Sequence, residues 1–167
     1  MRFAEGPTME VEVHVAASPE QVWTVVSDIG TPVRFSSELQ EAVWLDDAPG
    51  AAPGARFRGR NLHPARGEWE TTSTVVACEP GRVFAWAVGD PDRPSALWRF
   101  ELEAAPGGTR LRQWAQMGPG PSGVTMIIEK MPDKEEAIIE RRLGEWRQNM
   151  AATVEGIKGL AEAGPAR

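Results

Sequence analysis

The 167-residue chain has one cysteine, two histidines and no tyrosine. A lone Cys78 cannot close an internal disulfide, which fits a reducing compartment. It ends a strand-like stretch beside Glu79, a poor neighbour for a thiolate, and so reads as chemically inert. With only His14 and His63 as imidazoles, a zinc site of the usual kind cannot be assembled; no metal and no cofactor is expected. No apolar run approaches the roughly 20 residues of a membrane span. The opening MRFAEGPTMEVEV lacks the apolar centre of a secretion signal, so a cytoplasmic location without membrane insertion is expected. A formal charge of −6 and the absence of a basic run argue against nucleic acid as a partner. Nucleotide-binding glycine patterns are missing too: Gly118-Pro119-Gly120 puts proline where free amides would be needed. No serine sits in a nucleophile elbow.

What is present is an ordinary globular composition, 41% apolar and 25% charged, with seven tryptophans. The length suits one domain, 1–167, with a core over about residues 9–161. Met9, Val11, Val13 and Val15 alternate with Glu10, Glu12 and His14, the pattern of a half-buried strand. Ser18-Pro19-Glu20-Gln21 then reads as a helix start, with Ser18 as N-cap and Gln21 closing a capping box. Gly30-Thr31-Pro32 breaks that helix, and a short helical turn is expected over 33–37.

Period two returns over 39–45, 55–61, 68–78, 82–88, 96–103 and 109–117, each stretch ending at a Pro, Gly or Asp cluster. Short connections between such strands predict an antiparallel meander. Residues 118–131 read as a partly helical flap. From Pro132 to about Ala161 the stripe Ile139, Leu143, Trp146, Met150, Val154, Ile157, Ala161 steps by three and four, the signature of one long helix with a buried face. The order predicts an α+β helix-grip fold. A curved antiparallel sheet of about six to seven strands wraps the C-terminal helix, after one or two short N-terminal helices.

The segments Asp28-Ile29-Gly30-Thr31-Pro32-Val33-Arg34-Phe35-Ser36, Pro53–Asn61, Glu79–Trp86 and Met131-Pro132-Asp133-Lys134-Glu135 resemble the START-like (SRPBCC) superfamily, in its polyketide cyclase/dehydrase-like branch. That resemblance implies a deep cavity for a hydrophobic molecule. Its members include ligand carriers, aromatase/cyclases and self-resistance proteins, and no shared catalytic motif transfers to this chain.

Strand parity assigns the cavity-facing side chains. Arg56, Arg58 and Arg60 alternate with Phe57, Gly59 and Asn61; three unpaired arginines cannot be buried, so the second set faces inward. The same reasoning turns Trp69, Thr71, Ser73 and Val75 inward, then Phe84, Trp86 and Val88, then Ala96, Trp98, Phe100 and Leu102, then Leu111, Gln113, Ala115 and Met117. Trp114 and Trp44 fall outward. The expected ligand-binding set is Phe57, Asn61, Trp69, Thr71, Ser73, Phe84, Trp86, Trp98, Gln113 and Met117, with Ile139, Arg142, Leu143 and Trp146 from the helix. The alternative is a filled core whose polar groups satisfy one another.

On the helical wheel Glu135, Arg142 and Thr153 lie beside the apolar stripe. Glu135 could move protons and Arg142 hold a carboxylate or enolate oxygen, with Asn61 and Gln113 as further catalytic candidates; the plain alternative is a rim ion pair in water. Arg34, Ser36 and Glu38 border the expected opening, where they read either as gating or ligand-contacting residues or as ordinary surface residues. Two functions follow. One is a polyketide cyclase or aromatase, dehydratase-like and free of metal or nucleotide, acting by positioning. The other is a non-catalytic carrier, sensor or sequestering self-resistance protein. Either takes a hydrophobic small molecule as partner, as a monomer or a homodimer.

Overall fold

The computed structural model describes residues 1–164; positions 165–167 of the expected domain lie outside the described residues. Its elements are β1 (Thr8–Val15), α1 (Pro19–Val26), α2 (Thr31–Phe35), β2 (Leu39–Trp44), β3 (Arg56–His63), β4 (Gly67–Glu79), β5 (Val83–Val88), β6 (Ala96–Ala105), β7 (Gly108–Met117), α3 (Gly123–Lys130) and α4 (Glu135–Ala163).

The capping box at α1 forms as read. Ser18 Oγ accepts from the Gln21 amide at 3.3 Å, and the Ser18 amide donates to Gln21 Oε1 at 3.0 Å. Val22 and Val26 are the buried side of that helix. The second short helix starts two residues before the expected 33–37, because Thr31 and Pro32 supply its first turn rather than a break. Pro132–Lys134 forms a 3-10 turn, so α4 proper begins at Glu135.

The strands make one antiparallel sheet in the order β1-β7-β6-β5-β4-β3-β2. Strands β2 to β7 are a meander, and β1 closes onto β7 with Val15 opposite Thr109. At that corner Gly108 is required by close approach: a Cβ there would lie 1.9 Å from the Val15 carbonyl oxygen. Register shifts at Leu39/Glu41 and at Val75/Ala77 insert bulges into β2 and β4. Bulges bend a strand and raise its twist, which helps the sheet curve around a helix.

Helix α4 lies in that curve, against β1, α1 and α2. Every residue of its predicted stripe is buried. Phe35 of α2 packs on Gly156, where a Cβ would come within 2.5 Å of the ring. The apolar core forms two clusters. One gathers Val22, Phe84, Phe100, Leu111 and Ile157 around α1 and the end of α4. The other gathers Ala115, Val124, Ile139, Leu143 and Met150 under α3 and the start of α4. The outer sheet face is charged. Arg56 pairs with Asp46, Arg60 with Glu41 and Glu68, and Arg112 with Glu10 and Glu101. No helix among the described residues is long and apolar enough to cross a membrane.

Candidate functional site

Between the inner sheet face and α4 lies a cavity of about 620 Å³, with walls drawn from both core clusters. Strands β3 to β7 contribute alternate side chains, as parity requires. They are Phe57, Gly59 and Asn61 from β3, Trp69, Thr71 and Ser73 from β4, and Phe84, Trp86 and Val88 from β5. Ala96, Trp98 and Phe100 come from β6, and Gln113 and Met117 from β7. From α4 come Arg142, Trp146, Met150 and Thr153. Ile139 and Leu143, expected on this wall, are instead buried in the second apolar cluster.

The aromatic side chains form a connected surface. Trp146 meets Trp98 at 4.7 Å between ring centroids, Trp98 stacks on Trp86 at 6.5 Å, and Trp86 touches Phe84, Phe100 and Phe57 at 5.4–5.9 Å. Trp44, expected to point outward, stands edge-on to Phe57 at 5.6 Å; the bulge at Leu39/Glu41 resets its parity to the inner side. Trp114 does face outward, where the Arg99 guanidinium covers it at 4.5 Å. Neither ring is left as an open protein-binding patch.

Polar side chains also reach the lining, among them Asn61, Thr71, Ser73 and Gln113. Gln113 lines the cavity wall; its side-chain oxygen is buried and has no hydrogen-bond partner among the described residues. Buried polar groups normally find a partner, so this oxygen is an exception within the wall. Thr71 Oγ1 and Leu39 Cδ1 lie 3.3 Å from the position of a Cβ on Gly59, so a larger residue there would crowd both side chains.

The ion pair that forms differs from the expected one. Glu135 lies away from the cavity: its carboxylate accepts from the Phe3 amide at 2.9 Å and pairs with Arg2 at 3.3 Å, pinning the N-terminal segment. Arg142 is 8% exposed, and its two terminal nitrogens donate to the two oxygens of Glu38, each at 2.7 Å. Glu145, three residues on, takes a further 2.7 Å bond and meets His63 Nε2 at 3.3 Å. Burial opposes the charge on Arg142, but the hydrogen bonds and charges of Glu38, then of Glu145, outweigh it and hold the guanidinium above its ordinary value. Of the residues expected at the opening, Glu38 and Ser36 line the cavity, the first of the two readings given for them. The clue available beforehand was Arg142 itself, since a helix-face arginine beside an apolar stripe needs an acid. Its partner sits on the α2–β2 connection, about a hundred residues away, and sequence spacing does not reveal that.

Oxygen and nitrogen atoms of Glu38, His63 and Glu145 lie within 4.8 Å of one another, close enough to share a cation. Arg142 already bonds both carboxylates, so its guanidinium supplies the positive charge that this donor set calls for. At the cavity mouth stand Arg66, from the β3–β4 connection, and Lys130 and Met126, from α3. Cys78 is off the site, its thiol pushed up by burial.

A curved antiparallel sheet gripping a long C-terminal helix over an aromatic cavity defines a helix-grip protein. The chain belongs to the polyketide cyclase/dehydrase and lipid transport family, whose model matches residues 7–155. The Polyketide_cyc-like protein Cgl2372 of Corynebacterium glutamicum is similar at 32% identity and a TM-score of 0.63, over 92% of this chain and 90% of that one. The di-domain ARO/CYC BexL from the BE-7585A biosynthetic pathway shares the fold at 17% identity and a TM-score of 0.71. That match covers 95% of this chain and 51% of BexL. Ara h 8.0201 shares it at 12% identity and a TM-score of 0.60, over 94% of this chain and 98% of that one. No curated protein matches the sequence.

Proposed function

We propose that the protein binds a hydrophobic, aromatic or polyketide-type small molecule in this cavity and holds it in a folded conformation. The observation that carries the proposal is the state of Trp86 and Trp98. They stand on central strands and point to the inside, yet both are only half-buried. Both line the cavity, so the surface they leave uncovered faces its open volume. The test is native mass spectrometry after expression in an actinobacterial host. A retained small molecule, lost on denaturation, is expected. A bare chain that also fails to take up aromatic probes would overturn the proposal.

A second reading, a cofactor-independent cyclase or aromatase, is favoured by one observation. Arg142 is fixed on the wall by two carboxylates and could polarise a ligand carbonyl. Positioning of a flexible chain would supply most of the rate. Against it, Glu38 is committed to Arg142 and so serves poorly as a base. Turnover of the captured ligand, lost in Arg142→Met while binding persists, would support catalysis. Ligand that stays unchanged would favour a carrier or sequestering protein.

A further inference from the structure

Arg66 has three properties together. It lines the cavity, it is half-buried, and no carboxylate lies within ion-pair distance of it among the described residues. It reaches across the mouth, with Nη1 3.9 Å from the position a Cβ would take on Gly123, the first residue of α3. The acids nearest in charge, Glu38 and Glu145, both bond Arg142 at 2.7 Å and so are already engaged. Burial, then the charge of Arg142, pushes the Arg66 guanidinium below its ordinary value, with Glu145 and Glu38 offsetting only part of this. Lys130, on the same rim, has no ion-pair partner among the described residues. Across the outer sheet face, by contrast, Arg56, Arg60, Arg110 and Arg112 each meet an acid. A cationic rim without a counter-ion, above an apolar chamber, fits a ligand that brings the negative charge with it.

We infer that the ligand is an aromatic acid: its carboxylate is held by Arg66 at the mouth, with Lys130 beside it, while its ring system lies against Trp86 and Trp98. This rests on the binding reading given above and moves the anion site away from Arg142, which is already paired. An arginine forks two hydrogen bonds onto a carboxylate, and such charge-assisted bonds are about twice as strong as neutral ones.

The test uses a neutral fluorescent reporter, N-phenyl-naphthylamine, and two isosteric competitors, naphthoate and naphthamide, at neutral pH and low salt. The reporter is expected to bind saturably. Naphthoate should displace it at about tenfold lower concentration than naphthamide, the advantage of a charge-assisted contact. The ratio should fall to about one in Arg66→Met, return in part in Arg66→Lys, and shrink as salt rises. Equal displacement by the two competitors in the wild type, or a preference that survives in Arg66→Met, would overturn the acid inference and leave the cavity reading standing. A reporter that does not bind at all would overturn both.

Discussion

Replacing Arg142 with methionine keeps most of the side-chain volume but strands Glu38, which is only 9% exposed, without its bidentate partner. Removing one member of a buried ion pair costs roughly 3–5 kcal/mol, because the remaining charge stays desolvated. Here the stranded carboxylate borders a cavity that can admit water, so the lower end, about 3 kcal/mol, is expected. At about 2–4 °C per kcal/mol for a chain of this size, the melting temperature should drop by about 6–12 °C. Glu38→Gln combined with Arg142→Met removes both charges and should recover much of the loss, giving a coupling of about 1.5 kcal/mol or more. Arg112→Met is the control. Its acids lie on the outer face, where it is itself about one-third exposed, and such pairs contribute about 0–1 kcal/mol. Urea unfolding followed by tryptophan fluorescence measures the wild type, Glu38→Gln, Arg142→Met, the double variant and the control. If Arg142→Met costs no more than Arg112→Met, and the double variant is simply additive, the Glu38–Arg142 pair is screened by solvent and the reasoning fails.

The glycines of α4 should divide by environment. A Cβ on Gly144 or Gly159 meets nothing within 4 Å, so alanine at either should stabilise by about 0.5–1 kcal/mol. At Gly156 the same change drives into the Phe35 ring and should destabilise by about 1–2 kcal/mol after the helix gain is subtracted. Three denaturation midpoints that move together would refute the Phe35 contact. The Glu145 carboxyl is pushed up by burial, but the hydrogen bond and charge of Arg142, then those of His63, prevail and hold it below its ordinary 4.5. A carboxyl held low adds stability above its unfolded value and loses it as pH falls through the folded one. Wild-type stability should therefore fall more steeply than that of Glu145→Gln once pH drops below about 4.5. Parallel pH profiles would show that the carboxyl is not coupled to the Arg142 network.

The fold was legible because its signals are local and repeated. The outward arginines of β3 fixed the inward Phe57, Gly59 and Asn61, and the α4 stripe was buried at every expected position. The cavity wall followed from the strands by parity alone. Three features escaped that logic. Trp44 lies beyond a bulge, and a one-residue slip reverses a strand's faces. Glu135 sits beside the stripe on the wheel, but the N-terminal segment folds back and binds it, a long-range contact that no periodicity encodes. Glu38 and Arg66 lie on connections between elements, where side-chain direction depends on tertiary packing. The charged parts of the site were therefore the least legible, and the apolar parts the most.

The central claim is that the sheet and α4 enclose open volume that takes an aromatic molecule. Solution NMR with bound N-phenyl-naphthylamine tests it most directly, through NOEs between ligand protons and indole protons. Contacts to Trp86, Trp98 and Trp146 on the cavity wall are expected, and none to Trp114, which lies outside under Arg99. Contacts confined to Trp114, or no saturable binding, would contradict it.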